Sequence, residues 1–384
     1  MNAPYDRLVK GWCPGALRPM LSGDGLVVRV RAYGGRLTQD QARGLADLAS
    51  RYGNGLIDLS ARANLQLRGI RDHAAVLTKL ATLELIDGDE AIEGRRNILV
   101  TPFWQQGDGT QDLAAELMQA LATSDLALPG KFGFALDSGE TAVLRQASAD
   151  IRIEKAGDRY LLQADGATLA AATTRHSAVT EALHLARWFL ETGGARDGRG
   201  RMRDLLARGA SLPPHFTLTA PYVTDEAPHP GLTPAGALVA LPFGQTDSRT
   251  LSALADLAPL RLTPWRMLLL EGLNTMPDLP GLITTPADPL LRVTACNGAP
   301  GCAQALAPVR DLARQLAPSV PEGAMLHVSG CAKGCAHPSA ADITLVARGR
   351  DFALGYGCTA KDTPDTPFTP AQLLADPTLL MTRS

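Results

Sequence analysis

The chain has 384 residues, enough for two or three domains; 45% of them are hydrophobic and 20% are charged. This composition is typical of a globular protein and excludes collagen-like and largely disordered classes. A formal net charge of -2 provides no overall attraction to nucleic acid or to an anionic membrane, so neither is expected as a partner. No apolar run approaches the roughly 18 residues of a membrane span and no signal peptide is recognisable, so we expect a cytoplasmic protein.

The first elements predicted along the chain are a strand, a helix and a pair of strands. Leu26 to Ala32 alternates apolar and polar residues, as a half-buried strand does. Thr38 and Gln41 have the spacing of a capping box, and the helix that follows is expected to end at Gly53. Two further strands are predicted next, within 55–60 and 61–69.

The second strand of this pair carries an unusual set of polar residues. Its period of two places four of them on one face: Arg62, Asn64, Gln66 and Arg68. A solvated outer face is the plain alternative. Two guanidiniums and two amides without an acidic neighbour favour a surface that binds carboxylates. Arg96 in "GRRN" and Lys131 in "LPGKFG" extend this basic surface if they face the same cleft.

A later segment repeats the order of the first elements. Residues 237–258 again predict a strand, a polar turn and a helix, and the string LADLA occurs both at 45–49 and at 254–258. We therefore predict a duplication into two α+β halves related by a pseudo-twofold axis. The prolines and the absent periodicity of residues 212–232 predict a linker between them.

The two halves differ at the basic strand. When Gly69 is aligned with Gly272, the four polar positions of the first half are matched by Trp265, Met267, Leu269 and Glu271. Only the first half keeps the hydrogen-bond donors. If the halves share a cleft, one wall is expected to bind acidic groups and the other to supply apolar surface.

Four of the six cysteines form two pairs towards the C-terminus: Cys296 with Cys302, and Cys331 with Cys335. Both pairs lie in loops rich in glycine, where backbone amides can approach inorganic sulfur. The pattern favours a 4Fe-4S cluster, while a zinc site, which usually has tighter cysteine spacing, and four buried apolar thiols are the alternatives. The remaining two are expected to be ordinary half-buried thiols, Cys13 and Cys358.

These motifs together resemble the sirohaem-dependent sulfite and nitrite reductase superfamily. The resemblance rests on C-x5-C followed by C-x3-C, the repeated halves, and the strands "RANLQLR", "RNIL" and "LPGKF". It implies that the four paired cysteines ligate a 4Fe-4S cluster and that basic residues bind tetrapyrrole carboxylates. The substrate-binding residues predicted on this basis are Arg62, Asn64, Arg68, Arg96, Lys131 and Lys333.

Two departures from the reductase pattern point to one branch of the superfamily. Gly133 stands where reductases have a second lysine, and Lys333 stands where their cysteine loop has asparagine. The phrases "GWCPGALRPMLSGDGLVVRVR" and "VSGCAKGCAHP" are similar to those of the precorrin-3B synthase family of aerobic cobalamin biosynthesis. That likeness implies hydroxylation of precorrin-3A at the bridging carbon between rings A and D, with γ-lactone formation.

The resemblance also implies a cofactor set and partners. A 4Fe-4S cluster and a mononuclear non-haem iron are expected, and sirohaem only if the chain is a sulfite or nitrite reductase instead. Precorrin-3A and dioxygen are the expected substrates. No G-x-G-x-x-G opens a βαβ unit, so electrons are expected from outside, from an NAD(P)H-linked reductase or a ferredoxin. A monomer is expected, and a non-catalytic tetrapyrrole-binding or electron-carrying module is a further alternative.

The expected architecture is α+β, with ferredoxin-like half-domains and two α/β domains that bind the cluster and the tetrapyrrole. The predicted boundaries follow the chain: a first half-domain at 1–75, a first reductase-like domain with the basic strands at 76–211, the linker and second half-domain at 212–285, and a second reductase-like domain carrying the cysteines at 286–384.

Overall fold

The computed structural model describes residues 13–221, 227–364 and 366–381. In its first part, a small antiparallel sheet packs against a helix whose buried residues recur at helical spacing. The elements of this part are β1 (Met20–Ser22), β2 (Gly25–Val30), β3 (Arg36–Leu37), α1 (Gln39–Tyr52), β4 (Leu56–Leu59), β5 (Leu65–Ile70) and α2 (His73–Thr82).

A larger mixed sheet follows, in which the first strands run parallel and the later ones antiparallel. Its elements are α3 (Glu90–Arg95), β6 (Ile98–Val100), α4 (Thr110–Thr123), β7 (Phe134–Asp137), β8 (Ile151–Ala156), β9 (Arg159–Ala164), β10 (Leu169–Thr173), α5 (Ala178–Glu191), α6 (Met202–Ala207) and β11 (Leu218–Thr219). Strand order across the sheet is β11-β10-β9-β8-β7-β6.

The second half repeats the first small sheet. Its elements are β12 (Gly231–Thr233), β13 (Gly236–Ala240), β14 (Gln245–Asp247), α7 (Ser248–Leu257), β15 (Leu260–Leu262) and β16 (Met267–Glu271). The two sheets have the corresponding orders β1-β2-β5-β4-β14 and β12-β13-β16-β15-β3. Each half therefore contributes one strand to the other half's sheet.

The last part repeats the mixed sheet in a shorter form and carries the paired cysteines. Its elements are β17 (Val293–Ala295), α8 (Arg310–Leu316), β18 (Leu326–Ser329), β19 (Ala341–Arg348), β20 (Asp351–Cys358), β21 (Pro367–Phe368) and α9 (Pro370–Ala375). Strands β17, β18 and β19 are parallel, and β20 and β21 continue antiparallel. The expected α+β architecture of duplicated small and large units is thus confirmed.

One hydrophobic core joins the two small sheets. Buried residues of α1, such as Leu45 and Leu48, belong to the same cluster as Leu251 and Leu254 of α7. At the rim of this contact, Arg43 Nε lies 2.7 Å from the Asp256 carboxylate. The repeated LADLA strings therefore lie on helices that pack against each other across the pseudo-twofold axis.

The local predictions for the first helix are confirmed. Thr38 accepts a hydrogen bond from Gln41 N, the Gln41 side chain accepts from Thr38 N, and α1 ends before Gly53. The predicted linker, 212–232, has little regular structure where it is described, although it includes β11 and begins β12; residues 222–226 lie outside the described part. Within that part, no helix has both the length and the apolar character needed to cross a membrane.

We predict that Thr38→Ala lowers the free energy of unfolding by about 1 kcal/mol, because the capping hydroxyl satisfies one of the free amides at the start of α1. Urea denaturation measures the change. The control is Thr78→Ala, an exposed threonine inside α2, whose removal is expected to leave stability nearly unchanged. Equal effects of the two substitutions would contradict a capping role.

Candidate functional site

The cysteine pairs follow neighbouring parallel strands. Cys296 comes directly after β17 and Cys331 comes two residues after β18, and Ala295 is paired with Val328 in the ladder. Parallel strands end at the same edge of a sheet, so their loops meet there. Leu306 N donates to Gly330 O at 2.8 Å, which ties the two loops together.

Backbone amides of these loops point at the thiols. Gly330 N lies 3.1 Å from Cys296 Sγ, and the backbone of Lys333 donates to Cys331. A side chain at Gly330 would not fit, because its Cβ would come within 2.7 Å of Ala305 Cβ. Close backbone and amide donors directed at sulfur are the features that iron-sulfur clusters require of their loops.

The four thiols are near enough to influence one another. Burial raises the pKa of Cys335, and the charges of Cys331, Cys296 and Cys302 raise it further. Burial and the neighbouring cysteines likewise raise the pKa of Cys331. The Lys333 charge acts in the opposite direction on both groups, so this lysine belongs electrostatically to the cysteine loops.

Among the residues that the structure describes, no group of three or more His, Cys, Asp or Glu is arranged to hold one metal ion, and the four paired cysteines are included in that finding. A 4Fe-4S cube would need wider cysteine spacing than a single ion, because each thiolate binds a different iron. The same finding leaves the expected mononuclear iron without a ligand set.

The basic strand is shorter than predicted. β5 begins at Leu65, and Arg62 lies in a tight turn in which Ser60 Oγ accepts from Arg62 N and Asn64 N. Ala63 has a left-handed backbone with φ of 52°. The expectation of one strand face from Arg62 to Arg68 is therefore wrong, because local hydroxyl bonds stabilise a turn at its start.

Arg68, on β5, is paired with carboxylates of the protein. Its side chain is 5% exposed and lies 2.8 Å from Asp24 and 3.0 Å from Asp58. Burial acts to lower the pKa of Arg68, but the two carboxylates outweigh it and the pKa is raised. The expectation that this strand has no acidic neighbour is wrong, because Asp24 and Asp58 come from adjacent strands and turns.

Arg96 is also paired with a carboxylate of the protein. Its guanidinium binds Asp87 through Nε and Nη2, donates to Arg31 O at 2.9 Å, and stacks 4.0 Å from the Tyr33 ring centre. The residue precedes β6 rather than lying on it. The sequence did not indicate this pairing, because Asp87 lies in an irregular stretch with no recognisable motif.

A group of arginines with unsatisfied nitrogens lies beside these pairs. In the described structure the buried Nε atoms of Arg29, Arg31 and Arg62 and Nδ2 of Asn64 have no hydrogen-bond partner, although Arg31 Nη1 forms an ion pair with the Glu93 carboxylate at 2.8 Å. Arg29 pairs with Gln66 across β2 and β5, and its Nη2 lies 3.0 Å from Gln66 Oε1. We call Arg29, Arg31 and Arg62 the arginine group.

Their burial is strong enough to disturb their ionisation. Burial lowers the pKa of Arg29 to about 10; Cys13 acts to raise it, and Arg31 and Arg62 lower it further. Burial is also the largest cause of the lowered pKa of Arg62. With a pKa of about 10, the Arg29 guanidinium stays charged at neutral pH. Sequence analysis missed Arg29 and Arg31, although the alternation of "VVRVR" places both on one face of the predicted strand.

A cavity of about 430 Å³ opens beside Arg31 of the arginine group. Residues lining it include Cys13, Arg31, Glu93, Gly130 and Arg199. Cavities of this size accommodate small-molecule ligands. Lys131 follows Gly130 in the chain and is exposed. Asn64 lines a second, smaller cavity together with Arg31 and Arg96. Arg68 and Lys333, by contrast, lie at the cysteine loops.

Gly133, two residues after Lys131, is a second notable position. A Cβ there would come within 2.7 Å of Asn97 Nδ2, and Gly133 N donates to the Asp150 carboxylate at 3.0 Å. The surrounding hydrogen bonds therefore leave no space for a side chain at the position where the reductases have lysine.

Comparison with known proteins identifies the fold class of the chain. Residues 18–81 match the family model of the nitrite/sulfite reductase ferredoxin-like half domain. The structure is similar to that of the NirA protein of Mycobacterium tuberculosis, with a TM-score of 0.66, 18% identity, and coverage of 91% of this chain and 79% of the other. The fold is thus that of the nitrite and sulfite reductase-like proteins.

Two curated relatives refine this assignment. A precorrin-3B synthase from Sinorhizobium sp. is 30% identical over 92% of this chain and 84% of its own length. A ferredoxin-nitrite reductase from Synechococcus elongatus is 27% identical over 86% of this chain and 77% of its own. Within the nitrite and sulfite reductase-like class, the chain belongs to the precorrin-3B synthase family.

His327, on β18, is an unusual buried group next to the cysteine loops. It is 0% exposed, and neither ring nitrogen has a hydrogen-bond partner within the described ranges. Burial, followed by the charges of His337 and Arg266, lowers its pKa from 6.5 to about 4. The ring is therefore neutral in the folded protein at neutral pH.

We predict that His327 makes the protein sensitive to acid. In the unfolded state this ring takes up a proton below pH 6.5, whereas in the folded state it does so only near pH 4. The free energy of unfolding therefore falls as the pH is lowered from 6.5 to 4, by up to about 3 kcal/mol. Urea denaturation between pH 7 and 4 should show a weaker pH dependence for His327→Leu. The exposed His176→Leu is the control, and equal slopes in all three proteins would contradict the prediction.

Proposed function

We propose that this chain is an oxidoreductase, a monooxygenase, with precorrin-3B synthase activity in aerobic cobalamin biosynthesis. It uses dioxygen and reducing equivalents to hydroxylate precorrin-3A at the bridging carbon between rings A and D, and the ring A acetate closes a γ-lactone. One oxygen atom enters the product, and the other leaves as water with two electrons and two protons. Membership of the precorrin-3B synthase family supports the proposal.

The observation that carries the proposal is the set of buried donors without partners. Leaving a buried polar group unsatisfied costs about 1 to 3 kcal/mol, and more for a charged group. Four such donors are the Nε atoms of the arginine group and Asn64 Nδ2. Arg31 and Arg62 are near enough to Arg29 to lower its pKa, and Asn64 lines a small cavity with Arg31. A ligand with several carboxylates would satisfy them, because guanidiniums form strong charge-assisted bonds to carboxylates. A precorrin is such a ligand.

The second half of the duplication has apolar residues where the first half has Arg29 and Gln66. Leu238 and Leu269 occupy the paired positions that Arg29 and Gln66 occupy in the first half. The leucines belong to a buried apolar cluster, so that face is closed. We therefore propose that the carboxylates bind in the first half.

Cys296, Cys302, Cys331 and Cys335 are the proposed ligands of a 4Fe-4S cluster. Such a cluster, when bound, supplies electrons singly, which dioxygen needs in order to react with a closed-shell substrate. The amides of Gly330 and Lys333 stabilise negative charge on the sulfurs. An external NAD(P)H-linked reductase or ferredoxin is the proposed electron source. No step is assigned to a mononuclear iron.

A sirohaem-dependent sulfite or nitrite reductase is the second candidate, because the fold and the second relative belong to that class. Gly133 weighs against it, since its contacts with Asn97 and Asp150 leave no space for the second lysine of the reductase pattern. With one cation fewer, the pocket is less suited to small inorganic anions.

The proposal is tested by incubating the anaerobically reconstituted protein with precorrin-3A, oxygen and a chemical reductant, and by following the product by mass spectrometry. We expect a product heavier by one oxygen atom. Cys331→Ser is the control and should lose iron, sulfide and activity together. Stoichiometric sirohaem in the purified protein, with sulfite or nitrite reduction and no oxygenated precorrin, would overturn the proposal in favour of the reductase.

Arg62→Ala should weaken binding of the tetrapyrrole at least tenfold while leaving the iron and sulfide content unchanged, because it removes a proposed carboxylate partner and none of the proposed cysteine ligands. Fluorescence quenching or equilibrium dialysis with the tetrapyrrole measures the dissociation constant. Arg51→Ala removes an exposed arginine paired only with Asp47 and serves as the control. Unchanged affinity in Arg62→Ala would exclude Arg62 from the ligand site.

A further inference from the structure

Arg68, on β5 of the first small sheet, contacts the loop that carries Cys302. Nη2 of this arginine donates to Gly301 O at 2.8 Å, directly before the cysteine. The same guanidinium binds Asp24 through Nε and Nη2, and Asp58 through Nη1 at 3.0 Å. A buried arginine held by two carboxylates has little freedom, so its contact with the loop is fixed in position.

The turn between β1 and β2 packs against the same loop. Ser22 Oγ donates to Gly301 O at 2.9 Å. A Cβ at Gly23 would come within 2.5 Å of Pro300 O and 2.8 Å of Ala303 N. These are backbone atoms, which cannot move away as a flexible side chain can. The turn and Arg68 therefore fix the backbone on both sides of Cys302.

A second arginine makes the corresponding contact with the other cysteine of the pair. Arg310 Nε donates to Cys296 O at 3.2 Å, and its Nη2 lies 3.9 Å from Asp58 Oδ1. Asp58 also accepts from Gln245 Nε2, on β14, at 2.7 Å. The buried Asp58 carboxylate therefore lies beside both arginines: Arg310, which contacts Cys296, and Arg68, which contacts the residue before Cys302.

We propose that Arg68 is a positioning residue for Cys302 that also sets the electrostatic environment of the cluster. The inference rests on the proposed 4Fe-4S cluster. Reduction potentials of such clusters depend on net charge and on hydrogen bonds near the sulfurs. Loss of the guanidinium would remove the positive charge that lies between Asp24 and Asp58 beside the loop, and the resulting excess of negative charge disfavours addition of an electron.

The experiment compares reconstituted full-length variants with the wild type. Arg68→Met should shift the midpoint potential of the cluster to a more negative value and change its paramagnetic resonance spectrum, and Arg68→Lys should recover part of the shift by restoring the charge. Arg152→Met is the matched control: this arginine is 7% exposed and lies 3.0 Å from Asp165, in the first large sheet. It should lower stability without changing the potential.

If Arg68→Met fails to fold, Gly23→Ala tests the same inference. This glycine is exposed, and the nearest atoms to an added Cβ all belong to the loop that carries Cys302. It should alter the spectrum or reduce cluster retention, while Gly88→Ala, at an exposed glycine with space around it, should not. A wild type without a cluster would overturn both the proposed function and this inference. A normal cluster with unchanged potential and spectrum in Arg68→Met, or in Gly23→Ala if the first variant does not fold, would overturn the inference alone.

Discussion

The exchange of strands between the two halves is the constraint on which the other features depend. β3 pairs with β15 and β14 pairs with β4, so neither small sheet is complete without a strand from the other half. Backbone ladders and the shared core of α1 and α7 then hold the halves in one orientation. This orientation brings the polar face of β5 against the loops of the last sheet, where Arg68 reaches Gly301.

The arginines of β2, β5 and the turn before β5 have two different uses. Near the cysteine loops, Arg68 is neutralised by Asp24 and Asp58 and donates to the loop backbone. Arg29, Arg31 and Arg62 keep Nε atoms without a hydrogen-bond partner, although Arg31 also pairs with Glu93, and Arg31 lines a cavity. Buried ion pairs contribute mainly to position, whereas unpaired buried donors indicate an absent acceptor. The proposed division between a cluster site and an acid-binding site follows from this difference.

Duplication followed by divergence accounts for the asymmetry. Both small sheets have the same strand order, and both large sheets begin with three parallel strands. Within the described residues, cysteines follow the strands of only one large sheet, and the paired positions held by Arg29 and Gln66 in one small sheet are held by Leu238 and Leu269 in the other. Leucines at the equivalent positions pack into a closed apolar cluster and so preserve the fold without the chemistry.

The sequence by itself determined the local elements, because helical capping and strand alternation act over a few residues. The capping box at Thr38 and the end of α1 at Gly53 are examples. The sequence also showed the duplication and the two closely spaced pairs of cysteines in glycine-rich loops. It also indicated that the first half is basic. Only the tertiary structure decided which arginines are paired: Asp24 reaches Arg68 and Asp87 reaches Arg96, while Arg29, Arg31 and Arg62 keep unpartnered nitrogens. The physical reason is that burial and the nearest carboxylate depend on strands brought together from distant parts of the chain, which no periodicity in the sequence records.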